Sequence, residues 1–397
     1  MNNLNLVILA GGKGSRIKKI LKNQPKPMAK FNNKYFIEYI IQNFSKYNFK
    51  KIYILTGYKS KIIINKFNKK IFNFIEVICL KEKILMGTGG ALNILKKKNI
   101  NNFILINGDT IFNIDLNSLL KITKKKQIGT IALTKNLSHK NHKLSKLRLY
   151  KNTITNHSKG NLKNGGIYFF KKKIFKFINN KVSSLENDIL PNLIDKKLLS
   201  GKIFSNFFLD IGTPKDYKKA NNLLYKNFYK PAAFLDRDGV INYKKNYIYK
   251  KKDFKFRKGV IKGLKLLNQK GYYIFIVTNQ AGIGKNIFKE KDFINLHKYI
   301  KIKLQKKNIY FNDVCYSPYH PKAKIKKYRK NSLTRKPGNL MIENIKKKWH
   351  INLKRSFMIG DQISDQLCAK KSKIYFEFAN QNFYSQIKSI IKTNNYL

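Results

Sequence analysis

Apolar runs that stop at a glycine or an acid punctuate this chain. Leu6-Val7-Ile8-Leu9-Ala10 runs into Gly11-Gly12, and Phe103-Ile104-Leu105-Ile106 runs into Asn107-Gly108-Asp109. Phe207-Phe208-Leu209 stops at Asp210, Phe234-Leu235 at Asp236, Tyr272 to Val277 at Thr278, and Phe357-Met358-Ile359 at Gly360-Asp361. An unbroken apolar run predicts a strand buried on both faces, as in the sheets of α/β proteins. Ligands of such folds bind beyond the carboxyl ends of the strands, where these polar groups fall. Helical spacing runs from Asp216 to Leu224 and from Ile342 to Lys348.

Between Tyr225 and Lys230 the pattern lapses, and Pro231 precedes the next run, so the spacing predicts two domains, 1–228 and 229–397. A chain of 397 residues, 43% hydrophobic, is long enough to give each a core. The formal net charge of +64 suggests a polyanion binder, but only seven of the 84 basic residues are Arg and Lys is spread over the whole chain. A phosphate-reading surface draws on Arg forks gathered on one face, so the bias reflects amino-acid supply and no specific nucleic-acid partner is expected. Acids are correspondingly scarce, 20 in all, and each one in a motif carries more weight. Cys79, Cys315 and Cys368 show no paired spacing, which fits a reducing cytoplasm. The run Leu6 to Ala10 is too short for a secretory core, and nothing approaches a membrane span.

Three glycine-rich stretches accompany the acids of the first half. Gly11-Gly12-Lys13-Gly14-Ser15-Arg16 lets backbone N–H groups approach phosphate oxygens, although it has neither the Walker A nor the dinucleotide spacing. Gln24-Pro25-Lys26-Pro27-Met28 holds one lysine in a rigid turn. Met86-Gly87-Thr88-Gly89-Gly90-Ala91-Leu92 opens a helix and suits a base or ribose, and Asn164-Gly165-Gly166 is a third close-approach site. In order and spacing, residues 4 to 226 resemble the sugar-1-phosphate nucleotidyltransferases, most closely the D-glycero-D-manno-heptose 1-phosphate guanylyltransferase branch. The resemblance implies a mixed, mostly parallel sheet with flanking helices. It gives the loop of Gly11, Gly12, Gly14 and Arg16 to the triphosphate and Lys26 to the α-phosphate region. It makes Asp109 and Asp210 the Mg²⁺ pair, with Gly87, Gly89, Gly108 and Gly166 as substrate-binding positions. Where the family carries a Glu-Lys pair before Asn-Gly-Gly, this chain has Ser158-Lys159, which leaves Lys159 to serve alone or the sugar contacts rearranged.

In the second half Asp236, Thr278, Lys336 and Asp361 follow one another as in the haloacid dehalogenase superfamily of phosphatases. The local words Asp-Arg-Asp-Gly-Val-Ile-Asn, Thr-Asn-Gln-Ala-Gly-Ile and Arg-Lys-Pro resemble most the D,D-heptose 1,7-bisphosphate 7-phosphatases, with histidinol-phosphate phosphatases as near neighbours. The interval from Asp236 to Thr278 is too short for a large cap, so a Rossmannoid domain with an open site is expected. By resemblance Asp236 is the nucleophile and Asp238 the acid and base. Asp361 completes the Mg²⁺ site with Asp236 and a backbone carbonyl near Asp238, and Asp365 orients that shell. Lys336 offsets phosphoryl charge, Thr278, Asn279 and Gln280 bind phosphoryl oxygens, and Lys285 with Arg335 holds the distal end. The family's structural zinc has no counterpart, since the corresponding positions are Ser317, Tyr319, Ser332 and Thr334, so the loop 316–334 must be held by packing or be mobile.

The two halves together imply a bifunctional enzyme acting on small molecules: a phosphatase leaving a heptose 1-phosphate, and a nucleotidyltransferase, GTP-dependent by resemblance, consuming it. A homo-oligomer stays open. The alternative keeps both folds with a histidinol-phosphate-type monoester and a hexose 1-phosphate as substrates; a non-catalytic polyanion binder is the reading from another class.

Overall fold

Residues 4–21, 23–135, 147–156 and 160–394 are described by a computed structural model of the chain. They divide into two compact units, residues 1–45 with 49–224, and 46–48 with 225–397.

In the first unit the strand Asn5–Ala10 lies parallel between Ile52–Thr56 and Phe103–Asn107, and Ile75–Lys81 extends this parallel centre. Leu6, Val7 and Ile8 are fully buried, as the apolar run requires of a strand covered on both faces. Lys163–Phe170 then runs antiparallel to Phe103–Asn107 and to Gly129–Thr134, so the ten-stranded sheet is mixed. Helices supply the cover. Phe36–Ser45 buries most of its length, and Glu38 accepts the N–H of Tyr35 at 2.8 Å at its start. Leu116–Lys121 begins where Asp115 accepts the N–H groups of Asn117 and Ser118 at 3.1 Å each. A separate ribbon pairs Thr110–Phe112 with Phe208–Asp210 in antiparallel register, setting Asp210 opposite Thr110 and hence beside Asp109.

The helix expected to end at Leu224 continues: Pro214–Phe228 is helical. Tyr225 and Tyr229 stack one turn apart, rings 4.8 Å between centroids, and the N–H of Tyr229 donates to the Tyr225 carbonyl at 2.8 Å. Two aromatic residues at that spacing carry a helix that aliphatic periodicity alone does not announce.

The second unit is a five-stranded, wholly parallel sheet ordered Asp313–Ser317, Tyr273–Asn279, Ala232–Leu235, Phe357–Gly360, Tyr375–Phe378. Its middle strand carries Asp236 just past its end, flanked by the strands that lead to Thr278 and Asp361. Trp349, at the end of helix Leu340–Lys348, is buried against Tyr273 and Phe275 at 4.8 and 5.4 Å between centroids, which fixes that helix on the sheet as its sequence suggested.

Candidate active sites

In the first unit the strand ends open on a cavity of about 580 Å³. Gly11, Gly12, Gly14 and Arg16 line it from the first loop and Lys26 from the proline turn. Gly87 lines it from the second glycine stretch, and Gly108, Asp109, Gly166 and Asp210 from later strand ends. Of the expected glycines Gly89 is not among the lining residues. It is buried where a Cβ would meet Ile189 and the Ser183 hydroxyl, and its N–H donates to the Ser183 carbonyl at 2.9 Å, so it serves close packing. Lys159 lies outside the described residues. Lys163, four positions further on, lines the cavity.

Lys26 Nζ, carried by the short turn Lys26–Met28, lies 2.7 Å from Asp109 Oδ2. Burial works to raise the Asp109 carboxyl, but the Lys26 ammonium overrides it and holds the group below its ordinary value. Asp210 goes the other way: burial, then the Asp109 charge, pushes it up to about 6, with Lys26 opposing. An all-oxygen pair of carboxylates of this kind suits a hard divalent cation.

Two acids that the apolar runs did not single out also line the cavity. Glu82 is buried just beyond the strand Ile75–Lys81; its Oε1 accepts the N–H of Met86 at 3.2 Å, and its Oε2 would stand 2.5 Å from a Cβ on Gly11. Glu186 accepts from the Thr88 hydroxyl at 2.7 Å and from Asn107 Nδ2 at 3.4 Å. The scarcity of acids in the chain was the one available signal for both.

In the second unit Lys336 Nζ sits between Asp236 Oδ1 at 2.9 Å and Asp365 Oδ1 at 2.5 Å, and donates to the Val277 carbonyl at 2.8 Å. Oxygens of Asp236, Asp361 and Asp365 lie within 4.8 Å of one another, the only cluster of three or more such metal-capable groups among the described residues. Asp365 is already committed, since its Oδ2 accepts the N–H groups of Asp361 and Gln362 at 3.1 and 3.0 Å. Burial, with Asp365 and Asp238 adding to it and Lys336 opposing, pushes Asp236 up to about 6. The oxygen donor set again fits a hard divalent cation. Gly239, at φ 85°, passes so close to the Asp361 carboxylate that a side chain there would strike it.

Asp238 accepts from Arg237, from Asn242 Nδ2 at 2.9 Å and from Gln280 Nε2 at 3.0 Å. Gln280 Nε2 also reaches the Thr278 hydroxyl at 3.0 Å. Asn279 exchanges two hydrogen bonds with the Lys336 backbone, 3.1 and 3.0 Å. Both amides, expected on the phosphoryl group, thus rest on protein partners and brace Asp238, Thr278 and Lys336. Lys285 Nζ lies 3.3 Å from the Tyr247 hydroxyl, and Arg335 Nη1 donates to the Tyr319 carbonyl at 3.3 Å. Burial first, then the charges of Arg335, Lys285 and Lys322, pull the His320 imidazole below its ordinary value, which marks these cations as neighbours.

Three of the four positions that correspond to zinc ligands form a hydroxyl knot. Thr334 Oγ1 lies 3.1 Å from Ser317 Oγ and 2.9 Å from Ser332 Oγ, and Ser332 Oγ also accepts the N–H of Thr334 at 3.3 Å. Hydroxyls and a tyrosine do not fit zinc. They close the loop by hydrogen bonds, an anchorage beyond the packing expected of it.

Known proteins resemble each half. Residues 5–227 match a family model described as nucleotidyl transferase, and residues 231–393 one described as polynucleotide kinase 3 phosphatase. A D-glycero-alpha-D-manno-heptose 1-phosphate guanylyltransferase of Aneurinibacillus thermoaerophilus is 32% identical over 237 residues, 56% of this chain and 98% of the relative. A D-glycero-beta-D-manno-heptose-1,7-bisphosphate 7-phosphatase of Rhodopseudomonas palustris is 37% identical over 163 residues, 41% of this chain and 91% of the relative. A D-glycero-alpha-D-manno-heptose-1,7-bisphosphate 7-phosphatase of Photorhabdus laumondii is 40% identical over 134 residues, 34% of this chain and 73% of the relative. Among solved structures, HddC from Yersinia pseudotuberculosis is 26% identical with a TM-score of 0.46, covering 55% of this chain and 98% of that one. With its acids and lysines gathered at the strand ends of both units, the chain belongs to the nucleotidyl transferase family and carries a haloacid dehalogenase-like phosphatase in its second half, which makes it a bifunctional enzyme.

Proposed function

We propose that the enzyme removes the 7-phosphate of D-glycero-D-manno-heptose 1,7-bisphosphate and transfers GMP from GTP to the heptose 1-phosphate that remains, releasing pyrophosphate. The observation that carries this reading is that each unit pairs a strand-end acid with a lysine, Asp109 with Lys26 and Asp236 with Lys336, in one chain. The names of the relatives supply the sugar and the base.

In the phosphatase, Asp236 attacks phosphorus to form an aspartyl-phosphate. Asp238 passes a proton to the departing sugar oxygen and then takes one from the water that attacks the same phosphorus, releasing Asp236. Lys336 offsets charge on the phosphoryl oxygens, and Thr278 donates its hydroxyl to them. In the transferase, Arg16 and the N–H groups of Gly11, Gly12 and Gly14 hold the triphosphate. Lys26 offsets charge where the sugar phosphate attacks the α-phosphorus in line with pyrophosphate. Asp109 and Asp210 in one unit, and Asp236, Asp361 and the backbone near Asp238 in the other, would hold Mg²⁺. The ion supplies neutralisation of phosphoryl charge. The domains divide near residue 228, and the enzyme works in the cytoplasm.

The cations around Tyr247 favour this reading over a histidinol-phosphate-type substrate. Lys285 and Arg335 suit a second phosphate and repel an ammonium-bearing monoester. The test is to supply heptose 1,7-bisphosphate, GTP and Mg²⁺ and to measure released phosphate and product mass. Phosphate with GDP-heptose supports the assignment; absence of both sinks it.

A further inference from the structure

Arg237, between the two site aspartates, is 1% exposed and is among the largest fully buried side chains of the chain. Taking a guanidinium out of water costs several kcal/mol, so a core position is a poor place for one without a dedicated partner. Here the partner is Asp238. Nη2 donates to Asp238 Oδ2 at 2.7 Å, and Nε reaches Oδ1 and Oδ2 at 3.1 and 3.2 Å. Apart from these bonds, the guanidinium makes one to the Ile248 carbonyl at 2.9 Å and lies over the Phe293 ring at 5.6 Å. A two-pronged grip fixes the plane of a carboxylate, which a single ammonium cannot do.

Resting on the phosphatase reading, we propose that Arg237 is a positioning residue. It orients the Asp238 carboxylate so that one oxygen faces the leaving sugar oxygen in the first half-reaction and the attacking water in the second. Asn242 and Gln280 steady the same carboxylate but hold one oxygen each, Oδ1 and Oδ2. Arg237 alone spans both.

The two half-reactions depend on Asp238 unequally when the leaving group is changed, and that separates positioning from mere support of the fold. A nitrophenolate departs without a proton, so Asp236 can take the phosphoryl group from p-nitrophenyl phosphate unaided, whereas hydrolysis of the aspartyl-phosphate still needs Asp238 as base. Arg237→Lys keeps the charge and loses the fork. With p-nitrophenyl phosphate it is expected to give a burst of about one nitrophenol per chain followed by turnover at least tenfold slower than wild type. With the heptose bisphosphate, phosphate release falls by a similar or larger factor with no burst of dephosphorylated sugar, inside the ~10²–10⁴-fold range of a general acid and base. Arg237→Gln, which keeps amide donors and drops the charge, replaces it if the lysine variant does not melt like wild type. A folded variant that turns over both substrates at the wild-type rate overturns the proposal, as does an equal loss on both without a burst. If wild type cleaves the aryl ester but not the heptose bisphosphate, the sugar assignment fails while the burst still decides the role of Arg237. If wild type cleaves neither, the phosphatase reading falls and this inference falls with it.

Discussion

A carboxyl group pushed up to about 6, as Asp210 and Asp236 both are, holds its proton more tightly folded than unfolded, where an aspartate titrates at about 4. For the cation-free protein, the stability this contributes is therefore full below about pH 4 and lost as pH rises through 6. A divalent cation binds the ionised form, so its affinity moves the opposite way. Melting curves from pH 5 to 8 with and without Mg²⁺ should show the cation-induced rise in Tm growing with pH and levelling above about 7; a rise independent of pH counts against these acids as its ligands. Glu82 offers a second test at this scale. Guanine presents two N–H donors on one edge, and a carboxylate accepts both, so we expect Glu82→Gln to raise the KM for GTP roughly tenfold relative to the other nucleoside triphosphates, as a mismatched buried polar pair does. An unchanged nucleotide preference would remove Glu82 from base recognition.

Among the elements, the loop that presents Arg335 and Lys336 depends on three hydroxyls. Thr334→Val keeps the shape and removes the shared partner of Ser317, which is fully buried, so stability should fall by about 1–3 kcal/mol. Phosphatase activity should drop as Lys336 loses its bracing, read from melting and from kcat on one preparation, with nucleotidyl transfer unaffected. Almost nothing in the sequence pointed to this knot, because serine and threonine in a loop ordinarily face water. The strands and their terminal acids were legible because a buried parallel strand leaves an unbroken apolar run, and the residue that ends the run is the one placed for chemistry. Asp109, Asp210, Asp236 and Asp361 were found that way. Glu82 and Glu186 were not: Glu82 follows the strand Ile75–Lys81, whose alternating burial breaks the apolar run, and Glu186 sits in a single π-helical turn. Gly89 was assigned to substrate for the same kind of reason, since a glycine needed for close packing looks in sequence like one needed for close approach to a ligand.

At the scale of the whole chain, two chemistries occupy two units, and each can be silenced alone. Asp236→Asn should abolish phosphate release from the bisphosphate while leaving transfer to supplied heptose 1-phosphate intact, and Asp109→Asn should do the reverse. Loss of both activities in either variant would contradict two separate sites. No helix among the described residues is long and apolar enough to cross a membrane. The knot at Thr334 also bears on how the enzyme meets its cell. A loop tied by cysteine thiolates around a metal comes apart when the metal is withdrawn or the sulfur is oxidised. Hydroxyls have no such chemistry, so the knot itself makes no demand on the supply of zinc and presents an oxidant with no thiolate.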